Sequence, residues 1–152
     1  MVNKALFSSA KTDWETPQSL FDALDKEFRF VLDAAATEKN AKCASYFTPE
    51  QDGLIQCWGV KSPYAVFCNP PYGRDISKWV RKAWQEAKLH GITIVMLLPA
   101  RTNTAYFHDY ILGQAEIRFL RGRLKFLDSD GHEQKPTPFP SMIVIYNGRS
   151  IS

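Results

Sequence analysis

Apolar positions along the chain change period several times, and those changes divide it into elements. Leu20, Phe21, Leu24 and Phe28 fall at helical spacing, so a helix with one inward face is expected after Trp14-Glu15-Thr16-Pro17. Thr16 is its expected N-cap and Pro17 its first helical residue, where a fixed φ and a missing N–H do no harm. Phe28 to Leu32 alternates and then becomes apolar, which predicts a first strand ending at Asp33. Asn40 to Cys43 suits a helical turn, and Ala44 to Phe47 a short second strand. Thr48 to Gly53 is a loop by composition, with Trp58 expected to pack over it. Ala65-Val66-Phe67-Cys68 reads as a buried strand. Ile76, Trp79, Val80, Ala83, Trp84 and Ala87 then mark one face of a helix capped by Asp75 and closed by Gly91. Ile92 to Leu98 is almost continuously apolar, as interior parallel strands are, and Pro99 stops it. A polar loop, Arg101 to Thr104, leads into a helix through Tyr106, Phe107, Tyr110 and Ile111.

The last third has a different rhythm. Strands are expected at Glu116–Leu120, Leu124–Leu127 and Met142–Tyr146. Asp128-Ser129-Asp130-Gly131 would be a turn, and Pro136, Pro138 and Pro140 stiffen a loop. Strands and helices alternate through residue 112, and only strands follow. That order predicts an α/β fold with a mostly parallel sheet and an antiparallel strand near the C-terminus. The 152 residues suffice for a single domain with a proper core, preceded by a loose polar arm over residues 1–13.

Composition narrows the class of partner. Hydrophobic content of 45% and charged content of 23% are those of a soluble globular protein. The longest apolar stretch, Ile92 to Ala100, is too short to span a bilayer, and the N-terminus lacks a signal-peptide layout. A cytoplasmic protein without a membrane partner is expected, most simply a monomer. Residues 1–74 hold 8 Lys/Arg against 9 Asp/Glu, and residues 75–152 hold 11 against 7, so the second half is mildly basic and permits a polyanionic partner. Cys43, Cys57 and Cys68 show no metal-ligand spacing, and His90, His108 and His132 are scattered; no metal site is expected.

The chemistry concentrates in Asn69-Pro70-Pro71-Tyr72, directly behind the buried strand. Two prolines cannot continue a central strand, so they hold a stiff turn at its end. The Asn69 amide and the Pro70 carbonyl are left usable, with Tyr72 offering an aromatic face. Two acceptors beside a stacking surface suit a planar group bearing an NH2, such as the exocyclic amine of adenine. That nitrogen is a poor nucleophile because its lone pair is delocalised into the ring. Hydrogen bonds from both its N–H groups to fixed acceptors favour the pyramidal, nucleophilic form during methyl transfer. The position at a strand's carboxyl end in an α/β pattern, where ligands bind, favours this over a turn that merely ends a strand.

Other candidates carry two readings each. Asp33 can pair with a ligand's amino group or solvate a turn. Asp52 can accept from an adenine amine or shape the turn before Gly53. Arg118, Arg121, Arg123 and Lys125 are interleaved with Phe119 and Phe126, which suits a nucleic-acid strand's phosphates and bases. An edge strand with a solvated face reads the same way.

With these segments placed, the chain resembles the phage-type, Dam-like DNA N6-adenine methyltransferases. The resemblance covers nearly the whole length: Trp14-Glu15-Thr16-Pro17, Phe30-Val31-Leu32-Asp33-Ala34-Ala35, Asp52-Gly53-Leu54, Asn69-Pro70-Pro71-Tyr72 and Gly122-Arg123-Leu124-Lys125-Phe126. It implies a Rossmann-like S-adenosylmethionine-dependent methyltransferase that flips an adenine out of DNA, in the cytoplasm of a bacterial host if phage-encoded. Catalysis falls to Asn69, Pro70, Pro71 and Tyr72. Trp14, Thr16, Asp33, Ala34, Asp52 and Asn69 are the implied cofactor contacts, with Thr16 and Asp33 at the methionine end and Asp52 at the adenine end. Arg121, Arg123, Lys125 and Phe126 are implied to meet DNA, with Phe126 near the target base. The chain departs from the family in having Asp33-Ala34-Ala35-Ala36, without glycine, where such enzymes let backbone approach the cofactor. The length leaves no room for a separate target-recognition domain. The same tetrapeptide also fits methyltransferases of RNA adenine, cytosine N4 or protein glutamine, and a catalytically silent DNA-binding module would keep the fold.

Overall fold

The computed structural model describes residues 14–127, 132 and 136–149. The expected arm over 1–13 and the expected turn at 128–131 lie outside the described residues. Helix α1 (Gln18–Phe28) leads into β1 (Phe30–Asp33), followed by β2 (Ser45–Tyr46), a 3-10 turn (Gly53–Ile55) and β3 (Ala65–Cys68). Helix α2 (Ile76–His90) connects to β4 (Thr93–Pro99), a π-helical turn follows at Phe107–Ile111, and β5 (Glu116–Phe119) and β6 (Ser141–Asn147) close the chain. The strands form one six-stranded sheet in the order β2-β1-β3-β4-β6-β5. β1 to β4 pair in parallel; β6 runs antiparallel to both β4 and β5, so it is the reversed strand.

This topology sets where a ligand can enter. From β1 the chain moves outward to β2, then returns past β1 to β3 on the other side. Two loops therefore diverge at the carboxyl ends of β1 and β3 and leave a crevice between them, the usual ligand position in open α/β sheets. Asp33 is the last residue of β1, and Asn69 immediately follows β3. The central strands are apolar for a physical reason: every residue of β3 is buried, as are six of the seven in β4.

Two helix starts differ from expectation. Pro17 itself occupies the cap of α1, and no side chain caps it. Thr16 is displaced from that role because its hydroxyl is engaged by Asn69. Asp75 stands at the cap of α2 without a capping bond; its carboxylate pairs with Lys78 at 3.2 Å instead. Leu124–Leu127 is not a strand. It makes a single antiparallel bridge, Leu127 with Glu15, because the partner offered to it is the short Trp14–Thr16 segment rather than a sheet edge.

Gly53 fixes the loop between β2 and β3 against β1. A Cβ there would lie 2.3 Å from the Ala34 carbonyl oxygen and 2.9 Å from the Trp79 ring. Trp58, fully buried, donates its indole N–H to the Gly53 carbonyl at 2.8 Å. Gly53→Ala is expected to cost about 1–3 kcal/mol or more, the usual range for overpacking a closed contact. A lowered denaturant midpoint at unchanged slope is the measurement that checks it.

Candidate active site

Asn69 is half-buried at the end of β3 and its amide is oriented by what surrounds it. The Nδ2 group donates to the Trp14 carbonyl and, at 3.0 Å, to the Thr16 hydroxyl. A carbonyl can only accept, so this side of the amide must be the NH2 and the oxygen must face the other way. That oxygen, Oδ1, is buried and has no hydrogen-bond partner among the described residues. A buried acceptor left unpaired costs about 1–3 kcal/mol, which an incoming N–H donor would recover.

Two further buried side-chain oxygens lack a well-formed hydrogen bond among the described residues, that of Ser141 and that of Tyr106, which has only the Thr104 side chain beside it. Both residues belong to the same sheet edge as Asn69. Ser141 sits opposite Pro99 at the carboxyl end of β4, and Tyr106 follows the loop that leaves that end. Tyr106 and Arg101 also lie near enough to Tyr72 to act on it electrostatically. The unsatisfied polar atoms thus gather at one edge of the sheet.

Tyr72 does not present the free face that the sequence suggested. Its ring is 4% exposed, and its hydroxyl donates to the Leu97 carbonyl at 2.8 Å. Phe126 and Phe139 meet it edge to face, with centroids 6.2 and 5.7 Å away. Phe126 itself is fully buried and forms a wedge in the wall behind Tyr72, with no exposed face of its own. An aromatic residue directly after Lys125, in a run with Arg121 and Arg123, reads as an exposed stacking platform in sequence, but Trp14, Tyr72 and Phe139 provide it a dry pocket. Pro70 is buried and Pro71 exposed.

Across the crevice, Asp33 is 3% exposed. Its carboxylate accepts from the backbone N–H of Lys42 at 3.0 Å and, more loosely, of Ala35 at 3.4 Å. Burial still pushes its pKa up to about 6, because those two bonds and the Lys42 charge only partly offset the loss of water. The Lys42 ammonium is turned to the Gln18 side chain at 2.8 Å. Asp33 is a buried carboxylate short of a cation. Ala34 is buried beside it, and Gly53 makes the close backbone approach there that the alanines of 34–36 do not. Asp52 is carried to the same place by Gly53. Its Oδ1 accepts from Leu54 N at 3.0 Å, and it adopts φ 58°, a left-handed conformation uncommon outside glycine.

A model of the family described as DNA N-6-adenine-methyltransferase (Dam) matches residues 4–150. The chain belongs to this family. It is 31% identical over 146 residues to the DNA N-6-adenine-methyltransferase of Haemophilus phage HP1 (strain HP1c1), covering 93% of this chain and 82% of that protein. It is 38% identical over 122 residues to the DNA N-6-adenine-methyltransferase of Escherichia phage T1, covering 79% of this chain and 49% of the phage protein. The family is one of adenine-specific DNA methyltransferases, and both relatives are phage proteins. No described helix is long and apolar enough to cross a membrane.

In this Dam-family chain the basic segment splits. Arg121, Arg123 and Lys125 are exposed, and Arg123 also donates to the Thr137 carbonyl at 3.2 Å. Arg118 is occupied otherwise: it forms a two-pronged pair with Glu27 at 2.7 and 2.6 Å and a further bond to Glu116. Sequence reasoning missed how this segment is joined to Asn69. Trp14 and Thr16 hold the Asn69 amide, Glu15 accepts from Leu127 N at 2.9 Å, and the Trp14 ring packs edge-on against Phe126 and Phe139. Trp14–Thr16 is therefore a bridge between the Asn69 turn and the basic segment. Arg101, whose guanidinium lies 5.7 Å from the Phe139 ring centroid, was also missed as a neighbour of this wall. Its position in a polar loop after β4 was the one signal that pointed there.

Proposed function

We propose that this protein transfers a methyl group from S-adenosylmethionine to the N6 amine of an adenine flipped out of DNA, on a Rossmann-like sheet with its site in the Asn69-Pro70-Pro71-Tyr72 turn. The observation that carries this reading is the Asn69 amide: its NH2 is saturated by Trp14 and Thr16, and its buried oxygen is unpaired. In this reading Asn69 Oδ1 accepts one N–H of the target amine and the Pro70 carbonyl accepts the other, drawing the nitrogen lone pair out of conjugation. S-adenosylmethionine supplies an electrophilic methyl group when bound. Asp33 fits its ammonium, since a buried carboxylate short of a cation gains most from one. Ala34 lines the same end, Asp52 takes the adenine side, and Trp14 and Thr16 reach the cofactor through the segment that also sets Asn69. For Tyr72 to stack on the base, Phe126 and Phe139 must shift. Both lie on the 121–140 stretch that carries Arg121, Arg123 and Lys125, so seating DNA on these residues and freeing the Tyr72 ring are linked.

Tritium from labelled S-adenosylmethionine is expected to appear in DNA, as N6-methyladenine, when DNA, RNA and protein are offered in parallel. Label confined to RNA, to protein or to cytosine, or no transfer at all, would overturn the reading. The DNA contacts have their own test. Arg121→Ala combined with Arg123→Ala removes two phosphate partners, so the slope of log affinity against log salt should flatten by up to about 1.8 on duplex DNA. An unchanged slope would leave these residues as a solvated surface.

A further inference from the structure

Away from this site, the loop between β2 and β3 meets the end of α2. Helix α2 leaves from the carboxyl end of β3, so its last turn reaches the opposite edge of the sheet, where β4 begins. Three side chains converge there: Cys57 from the loop, and Glu86 and His90 one turn apart on α2. Cys57 Sγ is 3.4 Å from His90 Nε2, and Glu86 Oε1 is 3.5 Å from the same nitrogen. All three ligand atoms lie within 4.8 Å of one another.

We propose that Cys57, Glu86 and His90 form a Zn2+ site whose fourth position is taken by water. Tetrahedral zinc holds sulfur at about 2.3 Å and nitrogen or oxygen at about 2.0–2.2 Å, which places neighbouring ligand atoms roughly 3.3–3.6 Å apart. The two separations centred on His90 Nε2 match that spacing. Hydrogen bonding alone accounts for them poorly, because both contacts fall on one imidazole nitrogen. That nitrogen carries either one proton, to be shared at 3.4–3.5 Å between a weakly accepting sulfur and the carboxylate, or a lone pair that only the thiol can serve. A cation among the three satisfies thiolate, imidazole and carboxylate together. The donor set of sulfur, nitrogen and oxygen selects zinc over magnesium or calcium, which take oxygen throughout.

The surroundings support the ligands. Gly59 N–H points to Cys57 Sγ at 3.4 Å, which favours the thiolate. Trp58 N–H donates to Glu86 Oε1, and Lys82 Nζ lies 3.6 Å from the other carboxylate oxygen, holding that side chain in place. A Cβ on Gly59 would stand 3.2 Å from His90 Nδ1 and 3.4 Å from Cys57 Sγ, so glycine admits the close approach of the loop. Thiolate and carboxylate neutralise the dication, and the thiol proton passes to solvent on binding. The metal would tie the loop carrying Asp52 and Gly53 to α2. Neither scattered histidines nor unpaired cysteines revealed this in the sequence, because the ligands are 33 residues apart at their extremes.

The test is Co2+ titration of chelator-treated full-length protein, followed by displacement with Zn2+. One equivalent of Co2+ should bind with tetrahedral visible bands and a thiolate-to-cobalt charge-transfer band, both lost when Zn2+ is added. Cys57→Ser should abolish the charge-transfer band, and Cys57→Ser or His90→Gln should each weaken Zn2+ binding about tenfold or more. Both side chains are at the surface, so an unchanged far-UV circular dichroism spectrum and denaturant midpoint of the metal-free variants serve as the check that they fold. Absence of stoichiometric binding, or a cobalt spectrum that Cys57→Ser leaves unchanged, would overturn the site.

Discussion

Asn69→Ala is expected to slow single-turnover methylation by on the order of a hundredfold or more, the usual consequence of removing one preorganised transition-state hydrogen bond. The turn is set by Pro70 and Pro71, and Asn69 is only half-buried, so the fold and cofactor binding should largely survive. Two neighbours make the result interpretable. Thr16→Val removes one acceptor of the Asn69 NH2 but leaves Oδ1 in place. A single neutral hydrogen bond is worth about 0.5–1.5 kcal/mol, so the loss there should be roughly two- to tenfold. Asn69→Asp keeps an acceptor toward the substrate and should fall between alanine and the parent. It also sets a carboxylate oxygen against the Trp14 carbonyl, where the parent has a donor, so the Trp14–Thr16 bridge should loosen in that variant. A wild-type rate in folded, cofactor-binding Asn69→Ala would take the catalytic role away from the whole turn.

Much of this architecture was legible because the central strands are buried on both faces. Continuous apolar runs at Ala65–Cys68 and through residues 92–98 can be little else once Pro-Pro or a proline closes them, and the observed β3 and β4 follow those runs closely. The reversed strand β6 was visible for the same reason. Leu124–Leu127 misled because alternation describes any extended segment with one buried side; here Phe126 is drawn in by aromatic rings instead of a strand ladder. Position along the chain also revealed Asn69 and Asp33 as strand-end residues. Their partners stayed hidden, since the bond from Asn69 to Thr16 joins residues 53 apart, and local propensity made Thr16 a helix cap. A hydroxyl satisfied by tertiary contact has no signature in a window of neighbours.

Asp33 should make cofactor binding depend on pH. Its folded pKa of about 6 stands above the ordinary 3.8, so the folded state retains a proton that the unfolded chain has released. As pH rises through that window the unfolded state binds fewer protons, and stability falls. Above it, the buried charge is a standing cost of about 3 kcal/mol at 1.36 kcal/mol per unit. A ligand ammonium relieves that cost only when Asp33 is ionised. Affinity for S-adenosylmethionine should therefore rise as pH increases through about 6 and level off beyond it. The thiols nearby do not titrate in this range: burial pushes Cys43 to about 12 and Cys68 well above its usual value. Asp33→Ala removes the charge partner, and affinity should drop roughly ten- to a hundredfold at neutral pH, the worth of a hydrogen bond between charged groups. The variant should also lose the pH dependence of binding and the decline of stability between pH 3.8 and 6. Calorimetry at pH 5 and 7.5, with denaturant midpoints at the same values, separates the two effects. An Asp33→Ala protein that binds the cofactor as tightly as the parent at pH 7.5 would move the ammonium site elsewhere in the crevice.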